Sequence, residues 1–248
     1  MKSIFAFIFL IHAVNACYIE EARFTCEDGF TLFNRTPTAR NSQTAQWCLK
    51  AILYRSDINP NGMNISCAKD HNSVISNFEN QDERDFILTK AKADFATLIA
   101  PNPTHGFSLV VDGTLRPECY TGQPKANDPE CGANGFDRTD PHTDMDAFAT
   151  LNWGKFNNTN FPDAIPYEYD GVIQQETRMS IMVGDGTEEN MQFDGSYNDI
   201  FENYRSLYDG GEIWKPYGVV CGTNAIKNVV KVWIGEDGKP EQPQPVNP

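Results

Sequence analysis

Residues able to do covalent chemistry are sparse in this 248-residue chain. Beyond the first sixteen positions the histidines are His71, His105 and His142. None sits in a His-Glu-x-x-His, Gly-x-Ser-x-Gly or Gly-rich phosphate-loop context. His71 follows Cys67 by four residues on a stretch of helical character, a spacing that could set a base beside a thiol. Asp140, Asp144 and Asp146 are spaced like the start of an EF-hand loop. The loop's glycine and terminal glutamate are missing, so a solvated acidic loop is expected there. Asn34-Arg35-Thr36, Asn64-Ile65-Ser66 and Asn157-Asn158-Thr159 are acceptors for N-linked glycans, with Pro37 weakening the first.

What the seven cysteines do depends on their compartment. Lys2 precedes the apolar run Ile4-Phe5-Ala6-Phe7-Ile8-Phe9-Leu10-Ile11, and small residues stand at Val14 and Ala16. This is the pattern of a secretory signal peptide at residues 1–16, cleaved to leave Cys17 at the new N-terminus. The run is too short to span a bilayer, which takes about 20 residues. No membrane insertion is therefore expected, and a secreted, extracellular location is. In an oxidising compartment cysteines are staples before they are ligands or nucleophiles, which argues against the Cys67–His71 pairing. The formal charge of -14, one unit more negative once Lys2 leaves, excludes nucleic acid and anionic lipid as partners. Clustered acids would suit a hard cation such as calcium.

The elements that must position these residues are legible in part. Gln46 to Tyr54 is strand-like, Asn64 to Asn72 can form a short helix, and Ser73 to Ser76 is a short extended piece. Asn80 with Glu83 three residues on has capping-box spacing. Phe86, Ile87, Lys90, Ala91, Phe95, Leu98 and Ile99 follow at helical intervals. Phe107–Val111, Arg178–Val183 and Tyr217–Cys221 read as strands. Pro101 to Pro141 reads as long loops around one short strand, and residues 112–174 are mostly irregular. Two early helices followed by strands make an α+β class rather than a doubly wound sheet. Alternating proline and polar residues predict an extended conformation over Gly235–Pro248, within a polar, proline-rich tail assigned to 223–248.

The order of local pieces resembles the C-type lectin-like domain in the diverged form of nematode secreted proteins. The likeness runs from about Phe24 to Gly222. It begins with Cys26-Glu27-Asp28-Gly29-Phe30 and Trp47-Cys48, like an opening hairpin. Cys67 with Asn77-Phe78-Glu79-Asn80 follows, like a first helix leading to a second. Thr139-Asp140, Asp146-Ala147-Phe148 and Trp153 look like the long-loop approach. Phe161-Pro162-Asp163, Glu176, Tyr197-Asn198-Asp199 and Tyr217 to Gly222 complete the series. The resemblance implies two helices, mixed antiparallel sheets and a long irregular loop region, stapled by disulfides. Residues 17–23 would be a short N-terminal segment and 24–222 the domain.

The same resemblance implies that Cys26 pairs with Cys48 and Cys67 with Cys221. Cys119 and Cys131 are neighbours in the variable stretch and are assigned to each other by proximity. Cys17 is left over and could link two chains in a disulfide dimer. The family's second core disulfide is missing, since Arg178 and Glu202 stand at its two positions. Their opposite charges predict that the two side chains approach each other.

The family's sugar site holds calcium on oxygens that also receive sugar hydroxyls. Carried over residue by residue, Pro162 is the loop proline, expected in the cis form. Asp163, Glu176, Asn198 and Asp199 are the metal ligands, with Tyr197 in place of the usual Trp. The departure is Phe161, where the family has a side-chain oxygen. Trp153 and Phe156 could stack on a sugar face but are assigned, like Trp47 and Trp214, to the core. No enzyme is expected. Two functions remain open: a secreted lectin for a glycan or glycoprotein, with calcium as cofactor, and a calcium-independent module that binds protein or another surface.

Overall fold

The structure, a computed structural model, describes residues 18–98, 106–120, 130–131, 133–144, 155–156, 159–160, 166–169, 172–184, 194–201, 215–234 and 239–240. The strands are β1 (Tyr18–Thr25), β2 (Thr31–Asn34), β3 (Gln46–Leu53), β4 (Val74–Ile75), β5 (Gly106–Leu115), β6 (Phe136–Asp137) and β7 (Lys155–Phe156). They continue with β8 (Thr159–Asn160), β9 (Pro166–Tyr169), β10 (Val172–Gly184), β11 (Tyr197–Phe201), β12 (Pro216–Asn224) and β13 (Ile226–Trp233). The helices are α1 (Met63–His71) and α2 (Gln81–Leu98). The chain divides into a large unit, Cys26–Ala225, and a small one built from the segments on either side of it.

In the large unit the described strands form a sheet in the order β11–β10–β5–β12–β3–β2, with β4, β6 and β9 added at β12, β5 and β10. All pairings are antiparallel except β5 with β12, which are parallel. Side chains alternate across a strand, so one strand can feed two cores. Trp47 and Leu49 of β3 join Leu109 and Val111 of β5 in a cluster that buries Ile87, Leu88, Ala91 and Phe95 of α2. Cys48, Val110, Val219 and Cys221 serve a second cluster with Cys67 of α1.

The end of α1 and the start of α2 are set by identifiable chemistry. Asn72 ends α1 in the left-handed conformation, its N–H bonded to the carbonyls of Ala68 and Cys67. Asn80 caps α2 by accepting the Glu83 N–H at 3.0 Å. The reciprocal half of the capping box is not made. The Glu83 carboxylate accepts the Glu79 N–H at 2.8 Å and a guanidinium, because a buried cation outcompetes the cap. The helical spacing does not map fully onto the buried face: Phe86 is half exposed, an edge-on neighbour of Phe33, Lys90 is exposed, and Leu88, outside the series, is buried.

Two further expectations are corrected. The strand within 101–141 is not short, since β5 runs ten residues and is buried along nearly its whole length between β10 and β12. The expected tail over 223–248 and the short segment at 17–23 contain β13 and β1, which pair from Tyr18↔Trp233 to Thr25↔Ile226 in the small unit. Ile226, Val229, Val230 and Val232 are β-branched and strand-prone, but their spacing does not alternate cleanly, so the strand was hidden.

The three implied disulfides are present: Cys26–Cys48, Cys67–Cys221 and Cys119–Cys131. Cys67–Cys221 ties α1 to β12 across a separation of 154 residues, and Cys26–Cys48 closes only 22. Replacing Cys67 and Cys221 together by Ser should cost about 5 kcal/mol, against about 3 for the Cys26/Cys48 pair, if chain entropy governs. Urea unfolding of the two double variants measures the order, and equal losses would contradict it.

Candidate functional site

Arg35 leaves the end of β2 with its side chain fully buried. Its guanidinium makes a two-pronged ion pair with Glu83 of α2, Nε to Oε1 at 2.7 Å and Nη2 to Oε2 at 2.8 Å. Nη1 donates to the His142 carbonyl at 2.7 Å and to Thr143 Oγ1 at 2.9 Å. The same cation lies 3.2 Å from Glu79 Oε2 and faces the Trp47 ring at 5.7 Å. One side chain thus fastens the end of β2, the start of α2 and the run 133–144 together.

A second set of bonds continues from it. Asp140 accepts from Ser76 Oγ, Thr143 Oγ1 and the His142 N–H, and Ser76 Oγ in turn accepts the Trp47 indole N–H at 3.1 Å. A Cβ at Gly222 would meet Trp47 Nε1 at 2.5 Å, so β12 can cross this point only as glycine. His142 stacks on Trp47 at 4.5 Å. Asp112 on β5 accepts the N–H groups of Thr139 and Asp140 and the Thr139 hydroxyl. Asp140 is therefore not part of a solvated loop as expected. It is buried, because serine, threonine and backbone donors replace its water. Asp144 faces Arg40 at 3.7 Å, and Asp146 lies outside the described residues.

The sequence-predicted ligands fall on the neighbouring strand pair. Tyr197 opens β11 with its ring fully buried and donates its hydroxyl to Asn77 Oδ1 at 2.6 Å, and burial pushes the phenol far up from its ordinary value. The register sets Asn198 opposite Ser180, Asp199 opposite Met179 and Phe201 opposite Glu176. A bulge between Glu176 and Arg178 re-aims β10 at that point. Glu176, Asn198 and Asp199 are thus brought to one strand pair. Asn198 Oδ1 is buried, and among the described residues no donor reaches it. Buried carbonyl oxygens without a partner are uncommon, and a cation is one way to satisfy them. Pro162, Asp163 and Phe161 lie outside the described residues, as do Trp153, Trp214, Cys17, Glu202 and Asn157. Among the described residues no group of three His, Cys, Asp or Glu side chains gathers for a metal. Arg178, expected to meet Glu202, donates to Thr114 Oγ1 and to Asn61 Oδ1 at 3.3 Å.

Sequence reasoning missed Arg35, Asn77 and Asp112 altogether. Asp112 ends the apolar run Leu109-Val110-Val111, a signal of a polar residue entering the core, whereas Arg35 and Asn77 stand among polar neighbours and carry no such signal.

Two helices on opposite faces of a disulfide-stapled mixed sheet, with acidic and amide residues at the β10–β11 pair, define a C-type lectin-like domain. The chain belongs to the C-type lectin domain-containing protein 141/158 family, whose model matches residues 32–224. C-type lectin domain-containing protein 158 of Caenorhabditis elegans is 32% identical over 206 residues, covering 79% of this chain and 87% of that protein. C-type lectin domain-containing protein 141 of the same organism is 28% identical over 209 residues, covering 79% of this chain and 65% of its relative. Among solved structures, a calcium-independent type II antifreeze protein aligns with 82% of this chain and 98% of its own, at TM-score 0.40 and 11% identity.

Two tests follow from the buried network. Arg35→Met should cost about 3–5 kcal/mol by stranding the Glu83 carboxylate, and adding Glu83→Gln should recover much of that loss in urea unfolding. Burial pushes the Asp112 carboxyl above its usual 3.8, against three hydrogen bonds that favour the charged form. A raised folded-state pKa means that protonation favours the fold. The stability of the parent relative to Asp112→Asn should be greatest below pH 4 and should fall as pH rises through the raised value. Unfolding midpoints across that range read the difference, and an increase with pH would be the wrong sign.

Proposed function

We propose that the chain is a secreted, non-enzymatic module that recognises carbohydrate, with a calcium site weakened by one missing ligand. The observation that carries this reading is the buried Oδ1 of Asn198, without a partner among the described residues, on the strand pair that also bears Glu176 and Asp199. Oxygen donors of that kind suit calcium, which takes six to eight of them in an adaptable shell. Asp163 would complete the protein's share from the loop after Pro162. Bound calcium would supply coordination to two sugar hydroxyls, while the ligand side chains accept hydrogen bonds from those hydroxyls. Secretion rests on the leader-like residues 1–16 and the three disulfides. No helix among the described residues is long and apolar enough to cross a membrane. Asn34 and Asn64 are exposed and, with Asn157, are the proposed glycan acceptors.

Phe161 favours the second reading, calcium-independent binding of a protein or other surface, because it offers no side-chain oxygen. Calorimetric titration of calcium and a glycan array with and without chelator divide the two. The lectin reading expects calcium binding at millimolar concentration, and glycan binding lost both with chelator and in Asn198→Ala/Asp199→Ala. Glycan or protein binding indifferent to chelator would instead establish the second reading.

A further inference from the structure

Among the described residues, the β1–β13 ribbon has no third strand. Two strands alone are marginal, and an open edge offers its outward N–H and C=O groups to another strand. Tyr18, Ile19, Ile226, Val229 and Trp233 are exposed on this ribbon. We propose that the β1 edge pairs with the β1 edge of a second copy, antiparallel about a two-fold axis at Ala22, to give a four-stranded sheet β13–β1–β1–β13.

Symmetry and charge select both the edge and the register. A two-fold axis normal to the sheet keeps each residue on its own face, and directly opposed residues share a face. Each residue can therefore oppose only one an even number of positions away. Centring the pair on Glu20, Glu21 or Arg23 sets like charges against each other at the axis. Centring it on Ala22 sets Glu21 of each copy against Arg23 of the other, twice, with Ile19 against Thr25 and Glu20 against Phe24. Glu21 and Arg23 are both half exposed, 3.3 Å apart within one chain, and free to swing across. Glu20 already stands opposite Lys231 in the ribbon, so its charge is matched. The other edge carries only Lys227 and Lys231 as charged residues, and pairing it with itself supplies no opposite charge. The dimer needs no contribution from Cys17, and it would present two copies of the lectin-like unit to a multivalent surface.

Sedimentation equilibrium on the full secreted chain carrying Cys17→Ser, from micromolar to near-millimolar concentration, tests this. A reversible monomer–dimer equilibrium is expected. Arg23→Glu should weaken it at least about tenfold, because Glu then faces Glu across the pair. Adding Glu21→Arg to that variant should restore association, since opposite charges face again. Far-UV circular dichroism checks that each variant folds. A chain monomeric throughout, an Arg23→Glu variant that dimerises as well as its parent, or open-ended polymers would each overturn the proposal.

Discussion

A guanidinium taken out of water must find an acceptor for each of its donors, and at Arg35 that requirement organises the large unit. Its acceptors come from the start of α2 and from His142 and Thr143, residues about fifty and a hundred positions away in sequence. None of the three segments could shift without stranding a buried charge, and the cost of that exceeds the net value of the pair itself. The neighbouring Asp112 and Asp140 extend the same logic with neutral donors, so the irregular run 133–144 is fixed without regular secondary structure of its own beyond a short turn and β6.

This polar layer sits on an apolar one. Trp47 belongs to both: its ring lies in the α2 cluster, its N–H bonds Ser76, and His142 stacks on its face. The opposite side of the sheet is held differently, by Cys67–Cys221 between α1 and β12. The sheet is thus clamped by packing and charge on one face and by a covalent staple on the other. β10 and β11 lie at the far edge of this construction and take their rigidity from Met179, Ile181, Val183 and Tyr197, all buried in the α2 cluster.

What the sequence disclosed follows from the range of each interaction. α1 and α2 were legible because helical periodicity and the Asn80 cap are local, Cys119–Cys131 because the two are close in sequence, and the other two disulfides because the resemblance supplied partners that spacing could not. Arg35 was passed over as the middle of a glycosylation motif, and Asp140 was read as solvated, since their partners lie in other segments. β13 was lost because its apolar residues do not alternate, and only pairing with β1 gives the segment its form. The resemblance, rather than any local pattern, named the candidate site residues. Glu176, Asn198 and Asp199 fall on one strand pair, with Glu176 opposite Phe201 and the other two opposite Ser180 and Met179, whereas Pro162 and Asp163 lie outside the described residues.

The departures from the family pattern can be read in the same terms. Tyr197 stands where a Trp is usual, and its extra hydroxyl needs a buried acceptor, which Asn77 supplies while also accepting the Phe78 N–H. Arg178 stands where a cysteine is usual, and its guanidinium reaches Thr114 on β5 and Asn61 in the turn before α1. A disulfide would join β10 to a single point, whereas this side chain bridges the strand to two separate segments, though each bond is individually weaker. Both replacements are held by side-chain hydrogen bonds on the strand pair that carries Glu176, Asn198 and Asp199. Phe161 differs in kind, because its ring offers no oxygen where the resemblance places a side-chain oxygen. At positions 178 and 197 the departures from the family pattern are answered by hydrogen bonds within the chain.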